Sequence, residues 1–403
     1  MSASVLARLT LGYRHLWNRQ RRAAAIELTI NTTPQATGVD ARHLVATLTE
    51  LWPAGAPRLL LSIRHAALLH DMLFHGPADG AWVAVPQPAL EHPVLRERVQ
   101  QAHARGLPLV WQGGPGQRPP PELQACFQLG MYGLDPAQTV QVLQGLQTRP
   151  PNDAVDGGLP TGQILQAPAS RVLADWALDR RHAWAVAGWP LDESLDSLRG
   201  QASGPGREVV TQLLRALDRD ASLDQLEALL GADPVLAYRF LRHLNQPALQ
   251  LRGPIDSLQR GLMVWGTRHL QQWLQAELDQ AGETTDLHPV RSQLLTRARL
   301  LVHLLDPGDE DELRRELHLC GLFSQIDQLL GEPLATAVER LPLSQRLHEA
   351  LLERSGPYHV GLQLARLLES TDTRSIHQFC ENEDFDPEDV NRALLRTLAD
   401  LPT

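Results

Sequence analysis

Two halves of this chain carry hydrophobic patterns of different period, and no single layer of secondary structure accommodates both. Short β-type runs at 25–30, 59–63, 82–85, 107–111 and 184–186 alternate with helix-period segments at 40–51, 91–105 and 136–147. Such alternation puts parallel strands beneath crossover helices, which means an α/β sheet or barrel. Beyond residue 207 only helical periodicity remains. The intervening Asp192-Glu193-Ser194 and Gly200-Gln201-Ala202-Ser203-Gly204-Pro205-Gly206 are polar and aperiodic, the signature of a linker. The expected organisation is an α/β domain over 1–190, a linker over 191–207 and an all-helical domain over 208–403. At 403 residues the chain is long enough to bury two cores.

The helical half announces its own boundaries. Leu226, Leu229 and Leu230 form an apolar face that ends at Gly231. Asp233-Pro234 then supplies an N-cap followed by proline at the first helical position, where its missing N–H costs nothing. Leu236, Phe240, Leu241 and Leu244 repeat at three-to-four spacing, and the helix stops near Asn245-Gln246-Pro247. Ile255-Asp256-Ser257 opens another helix that closes near Gly266, and the next carries Leu270, Trp273, Leu274 and Leu278. Short capped helices with short loops make a compact bundle.

Composition removes several function classes. The formal net charge of −10 argues against a general nucleic-acid or anionic-membrane binder, which needs a basic surface. Arg14, Arg19, Arg21 and Arg22 cluster around Trp17 and read as a solvated face. All 37 basic residues are arginine and none is lysine, so no Walker phosphate loop, Schiff-base lysine or lysine general base exists here. Three cysteines, Cys126, Cys320 and Cys380, are odd in number and far apart, as in a reduced protein with buried thiol fillers. No signal-peptide pattern and no membrane-length apolar run occurs, so a cytoplasmic location is expected.

The ordered series Leu-Glu-x-Leu-Leu, Asp233-Pro234, a run ending in Leu244-Asn245, Ile255-x-Ser257-Leu, Gly261-Leu262, Trp265-Gly266 and Trp273-Leu274 resembles the HDOD domain, a helical relative of the HD phosphohydrolases of bacterial signalling proteins. The likeness continues through Gly321, Ser324, Gln325 and Asp327 and covers roughly 210–370. HD phosphohydrolases bind metal through a His, a His-Asp pair and a distant Asp. Ser324-Gln325 stands where the pair would sit, and neither side chain replaces an imidazole and a carboxylate at a divalent cation. The His-Asp pair of this chain, His70-Asp71, lies in the other half.

The first half, over about 20–190, resembles an EAL-type barrel, whose active members hydrolyse cyclic di-GMP with two metal ions. Ile26-Glu27-Leu28-Thr29-Ile30-Asn31 looks like the first family strand, with Glu27 at a metal-ligand position and Asn31 where an arginine contacts nucleotide. Ser62 stands for an Asn ligand; Gln112, Gly113 or Gly114 stands for a paired Asp-Asp; Tyr132 falls near the catalytic lysine. Two-metal hydrolysis needs several carboxylates around the cations, and one glutamate does not supply them. The literal Glu227-Ala228-Leu229 and Glu349-Ala350-Leu351 fall on helices of the second half, with the glutamate facing solvent.

No other chemistry stands out. There is no Gly-x-Ser-x-Gly elbow, and Gly113-Gly114-Pro115-Gly116 reads as a plain loop because its proline lacks a backbone donor. His288, His303 and His318 have no carboxylate set around them. The expectation is a degenerate EAL-like barrel followed by a helical HDOD domain. It carries no catalytic, cofactor-binding or metal residues and no cofactor, and it is not an enzyme. The resemblance implies signal transduction through protein–protein contact, with a partner or a second copy of the chain. Nucleic acid and membrane are not expected partners, and the loss of the arginine and the acidic pair disfavours cyclic di-GMP binding. The alternatives are a cyclic di-GMP receptor without hydrolysis or a residual phosphodiesterase.

Overall fold

The structure, a computed structural model, describes residues 4–36, 38–76, 80–148, 159–196, 202–251, 253–282 and 287–401. The Pro/Gly stretch from 149 to 158 and residues 197–201 of the expected linker lie outside these. The chain forms two compact units, one of residues Met1–Glu193 with Arg366–Thr403, the other Ser194–Ala365.

In the first unit eight strands close into a barrel in sequence order: β1 Leu9–Trp17, β2 Ala23–Thr32, β3 Leu59–Ile63, β4 Trp82–Pro86, β5 Leu109–Gly113, β6 Leu129–Gly133, β7 Ile164–Gln166 and β8 Ala185–Ala187. Strands β2 to β8 are parallel to their neighbours, and β1 runs antiparallel to both β2 and β8. Helices α1 Ala41–Leu51, α2 Ala66–His75, α3 Pro93–Ala104 and α4 Pro136–Thr148 follow β2, β3, β4 and β6, and the short α5 Arg171–Asp175 follows β7. Sequence periodicity misses β1, β6, β7 and α2. Strand β6 carries two glycines and β7 has three residues, too few for a period to register. In β1 the apolar residues Leu9, Leu11, Tyr13 and Trp17 do alternate, yet Arg14 and His15 mask the pattern.

Alternation along each strand fixes the barrel interior. Leu16, Ala25, Leu60, Val110, Met131, Ile164 and Ala185 form one buried cluster with Trp82, Ala84 and Ala187, so these positions face inward. Trp82 and Trp184 pack ring against ring, 5.1 Å between centroids, at the amino-terminal end of the strands. Apolar rings therefore pack at that end.

The expected solvated arginine face is corrected in part. Arg21 is 6% exposed and bonds Asp175 at 2.7 Å and Asp179 at 2.6 Å. Arg14 turns into the barrel, since it shares the face of Leu16.

The second unit runs from within α6 Leu191–Asp196 through α7 Arg207–Leu217, α8 Leu223–Leu230, α9 Pro234–Leu244, α10 Leu258–Trp265, α11 Thr267–Gln280, α12 His288–Leu305, α13 Asp311–Phe323, α14 Ile326–Leu330, α15 Leu334–Glu339, α16 Gln345–His348 and most of α17 Gly356–Leu368. Starts and stops follow the sequence signals. Ser222 and Gln225 form a capping box on α8, Asp233 caps α9, and Gly266 ends α10 at φ 78°.

The expected helical domain over 208–403 differs from the structure at its end. Helices α18 Thr373–Asn382 and α19 Pro387–Ala399 group with the barrel. Asn391 of α19 explains why. Its amide donates to the Leu6 and Leu9 carbonyls at 2.9 and 2.8 Å and accepts from the Leu11 N–H at 3.2 Å, so it satisfies backbone groups where β1 begins.

Candidate functional site

The inner face changes character one step toward the carboxyl ends of the strands. Beyond Leu16, Ala25, Leu60, Val110, Met131 and Ile164 come Arg14, Glu27, Ser62, Gln112, Gly133 and Gln166. Register pairs Arg14 with Glu27. The Arg14 guanidinium donates to Glu27 Oε2 from Nε at 3.0 Å and Nη2 at 2.6 Å, and Ser62 Oγ donates to Glu27 Oε1 at 2.7 Å. Glu27 is fully buried, and the Arg14 side chain is 10% exposed. Across the mouth, Gln112 Nε2 donates to Gln166 Oε1 at 3.1 Å. Thr29, next inward-facing on β2, is buried with no partner for its hydroxyl among the described residues. Active sites of such barrels sit at this end.

Of the residues expected from sequence, Glu27 and Ser62 meet directly. Asn31 lies further along the same face of β2 and donates to Thr373 Oγ1 at 3.2 Å. Gly113 and Gly114 do not reach the interior. Gly113 shares the outer face with Trp111, whose ring would stand 2.4 Å from an added Cβ, and the Gly114 N–H bonds Gln117. The inward residue of that trio is Gln112. Tyr132 alternates with inward Met131 and so points outward, where it packs edge-on against Trp111 at 5.2 Å. Burial raises its hydroxyl above the ordinary phenol range. It therefore cannot stand in for a mouth lysine. Sequence reasoning missed Arg14 and Gln166, for which β1 and β7 had to be recognised first.

These donors do not fit a two-metal centre. One carboxylate faces the inside here, already held by a guanidinium and a hydroxyl, and no group of three or more His, Cys, Asp or Glu gathers among the described residues.

In the helical unit the motif residues serve as joints. Asp233 accepts from the Leu236 N–H at 2.8 Å and the Gly206 N–H at 3.0 Å and pairs with Arg291 at 3.1 Å, while Pro234 starts α9. Asn245 bonds both backbone groups of Ile255 and the Leu241 carbonyl, pinning the loop between α9 and α10, and Ser257 caps α10. Gly321 lets α13 cross α12, since a Cβ there would stand 2.4 Å from Ala298 Cα. Arg297 is buried and donates to Ser324 Oγ at 3.2 Å and Gln325 Oε1 at 2.7 Å, so a guanidinium lies where the resemblance placed a metal-binding pair. Asp327 sits in the first turn of α14, and its carbonyl accepts from the Glu332 N–H. Glu227, expected to face solvent, is instead partly buried against Arg315 at 3.2 Å; burial raises its carboxyl above the usual range.

A closed eight-stranded barrel followed by this bundle defines a two-unit protein with an HDOD domain in its helical part. Residues 206–335 match the HDOD domain family. The chain is similar to the cyclic di-GMP phosphodiesterase CdgJ of Vibrio cholerae, 27% identical over 242 residues, 58% of this chain and 56% of that protein. It is similar to the uncharacterized protein YuxH of Bacillus subtilis, 28% identical over 164 residues, 40% of each chain. The MmoQ response regulator of Methylococcus capsulatus aligns with a TM-score of 0.39 at 18% identity, over 48% of this chain and 98% of that one. The chain spans about half the length of the curated relatives it matches. CdgJ overturns one expectation. A relative aligned over more than half of this chain is named a phosphodiesterase, so missing metal ligands do not make the chain a non-enzyme. No helix among the described residues is long and apolar enough to cross a membrane.

Proposed function

We propose that this chain is a cytoplasmic cyclic di-GMP signalling protein whose HDOD domain makes protein–protein contacts and whose barrel tunes them. The observation that carries the reading is the use of the helical motif residues. Asp233, Asn245, Ser257 and Gly321 are spent on caps and crossings, so the bundle is a rigid scaffold presenting a surface. On that surface α10 leaves Met263 59% and Val264 48% exposed beside Trp265. Exposed apolar side chains grouped this way suit a protein contact. The test is affinity capture and sedimentation with the full chain and with Met263→Glu/Val264→Glu. A partner or dimer lost in the variant supports the reading; a monomer with the same captured proteins in both refutes it.

A second reading is favoured by the name of CdgJ: hydrolysis of cyclic di-GMP at the barrel mouth. Water would add to one phosphodiester and open the ring to the linear dinucleotide. Glu27, held between Arg14 and Ser62, and the Gln112–Gln166 pair are the polar groups that would face it. Chromatography of cyclic di-GMP incubated with the protein and Mg²⁺ or Mn²⁺ decides, with an intact dinucleotide removing this reading.

A further inference from the structure

Strand β1 is antiparallel, so its first residues lie at the carboxyl end of the barrel, where Leu9 pairs with Thr32 and Gly12 with Thr29. Gly12 shares the inward face with Arg14 and stands one step nearer the mouth. A Cβ on Gly12 would lie 2.2 Å from the Ser370 carbonyl oxygen and 3.1 Å from Ile376 Cδ1. The segment around 370–376 therefore fills the space over Arg14 and Glu27. On the neighbouring strand Asn31 donates to Thr373 Oγ1 at 3.2 Å, and at the rim Gln35 donates to Glu381 at 3.1 Å. Thr373 and Ile376 are 6% and 1% exposed.

This cover is built differently from the helix after it. Helix α19 is clamped by the three backbone bonds of Asn391. Helix α18 is only ten residues long and is set off by turns on both sides. On one side Ser370 and Asp372 make the turn. On the other Asp384 takes a left-handed φ of 57°. Its polar hold on the mouth is one hydrogen bond to an inward side chain and one at the exposed rim, beside the Gly12 seat and the buried side chains of Thr373, Ile376 and Cys380. An element bounded by turns and tied to its neighbours by few hydrogen bonds opens locally at a lower free energy than the whole unit.

We propose that α18 is a lid over the carboxyl-end mouth of the barrel, seated on Gly12 and Asn31, hinged on the turns at 369–372 and 383–386, and barring access to Arg14, Glu27 and Thr29. Helix α19 stays fixed while α18 swings. The lid follows directly on α17, so the chain leaves the helical unit and enters the lid with no further domain between. The lid governs access to the mouth whichever ligand enters.

A thiol reporter tests it without nucleotide. Thr29→Cys puts a small thiol on the inner face beneath the lid at a hydroxyl that has no partner among the described residues. Iodoacetamide labelling of that cysteine is followed by mass spectrometry, which separates it from the buried Cys126, Cys320 and Cys380. Gly12→Ala is compatible with a strand but not with a seated Ser370, so it should speed labelling about tenfold or more; Thr373→Val, which removes one bond, should do so less. Hydrogen exchange on the same samples should quicken in 369–386 and stay unchanged in β2 to β5. Unchanged labelling in Gly12→Ala overturns the proposal. So does faster labelling accompanied by lost protection across β2 to β5, because the segment is then part of the barrel wall.

Discussion

Replacing Arg14 by methionine tests the electrostatics of the mouth most directly. The substitution leaves Glu27 fully buried with Ser62 as its remaining partner, where it had two charge-assisted bonds from the guanidinium at 3.0 and 2.6 Å. Removing one partner of a buried ion pair costs about 3–5 kcal/mol, because the other charge stays in a medium that solvates it poorly. The bond from Ser62 persists and keeps the loss near the lower end, about 3 kcal/mol. For a unit of this size that is a fall in Tm of roughly 6–12 °C. Arg14→Met/Glu27→Gln removes the stranded charge while the new amide oxygen still accepts from Ser62. It should regain more than half of the loss. Urea denaturation followed by the fluorescence of Trp17, Trp82 and Trp111, which lie in barrel strands, gives both numbers. A single-variant loss below about 1 kcal/mol, or a double variant no more stable than the single, refutes the view that Glu27 is held by charge.

His15 is buried between the rings of Tyr13 and Trp17, and burial lowers its pKa to about 4. The folded barrel keeps the ring neutral, so stability is complete above pH 6.5 and falls toward pH 4, as the unfolded chain takes up a proton first; the loss approaches about 3 kcal/mol, and His15→Phe should flatten the slope in a pH series of urea melts. Asn245→Ala removes three bonds that join α9 to the loop before α10 and should cost about 2–3 kcal/mol, read as a lower midpoint for the helical unit and faster hydrogen exchange in 245–257. Tyr132→Phe should leave any cyclic di-GMP turnover unchanged, since the ring lies outside the barrel; a loss of turnover beyond about tenfold would contradict that placement.

How much of this was legible depends on how far apart in sequence the cooperating residues lie. Caps and stops are local chemistry, so Asp233-Pro234, Ser257 and Gly266 marked helix ends correctly from neighbouring residues alone. The passage from strands to helices was legible as a change of period, but not the grouping of residues 366–403 with the barrel. The site was not, because a barrel mouth is assembled from one residue per strand and a one-residue error turns a side chain to the other face. Placing the fifth strand at 107–111 instead of Leu109–Gly113 left Gln112, Gly113 and Gly114 undivided, although only Gln112 faces inward. Tyr132 was misplaced by the same parity. The lid was beyond reach of any periodicity argument, since Gly12 and Ser370 are brought together only by closure of the whole unit.

Both units solve a similar problem with the same residue. In the barrel, positions that the EAL resemblance gives to metal ligands hold Ser62 and Gln112, both neutral, and its nucleotide-contact position holds Asn31, beside one buried carboxylate. A lone buried carboxylate needs a partner cation, and with no lysine in the chain the partner is arginine. Arg14 meets the need because its planar fork places two N–H groups on one oxygen while Ser62 takes the other. In the helical unit Arg297 instead directs one nitrogen, Nη1, to two neutral acceptors, Ser324 Oγ and Gln325 Oε1. Guanidinium is bulky as well as charged, so each substitution fills the space around its partners while anchoring two elements to each other: β1 to β2 in one case, α12 to the α13–α14 turn in the other. The polar remnants of both resemblances are therefore also packing joints. Substituting Arg14 or Arg297 perturbs structure before it reports on chemistry, which is why stability and turnover have to be measured on the same variants.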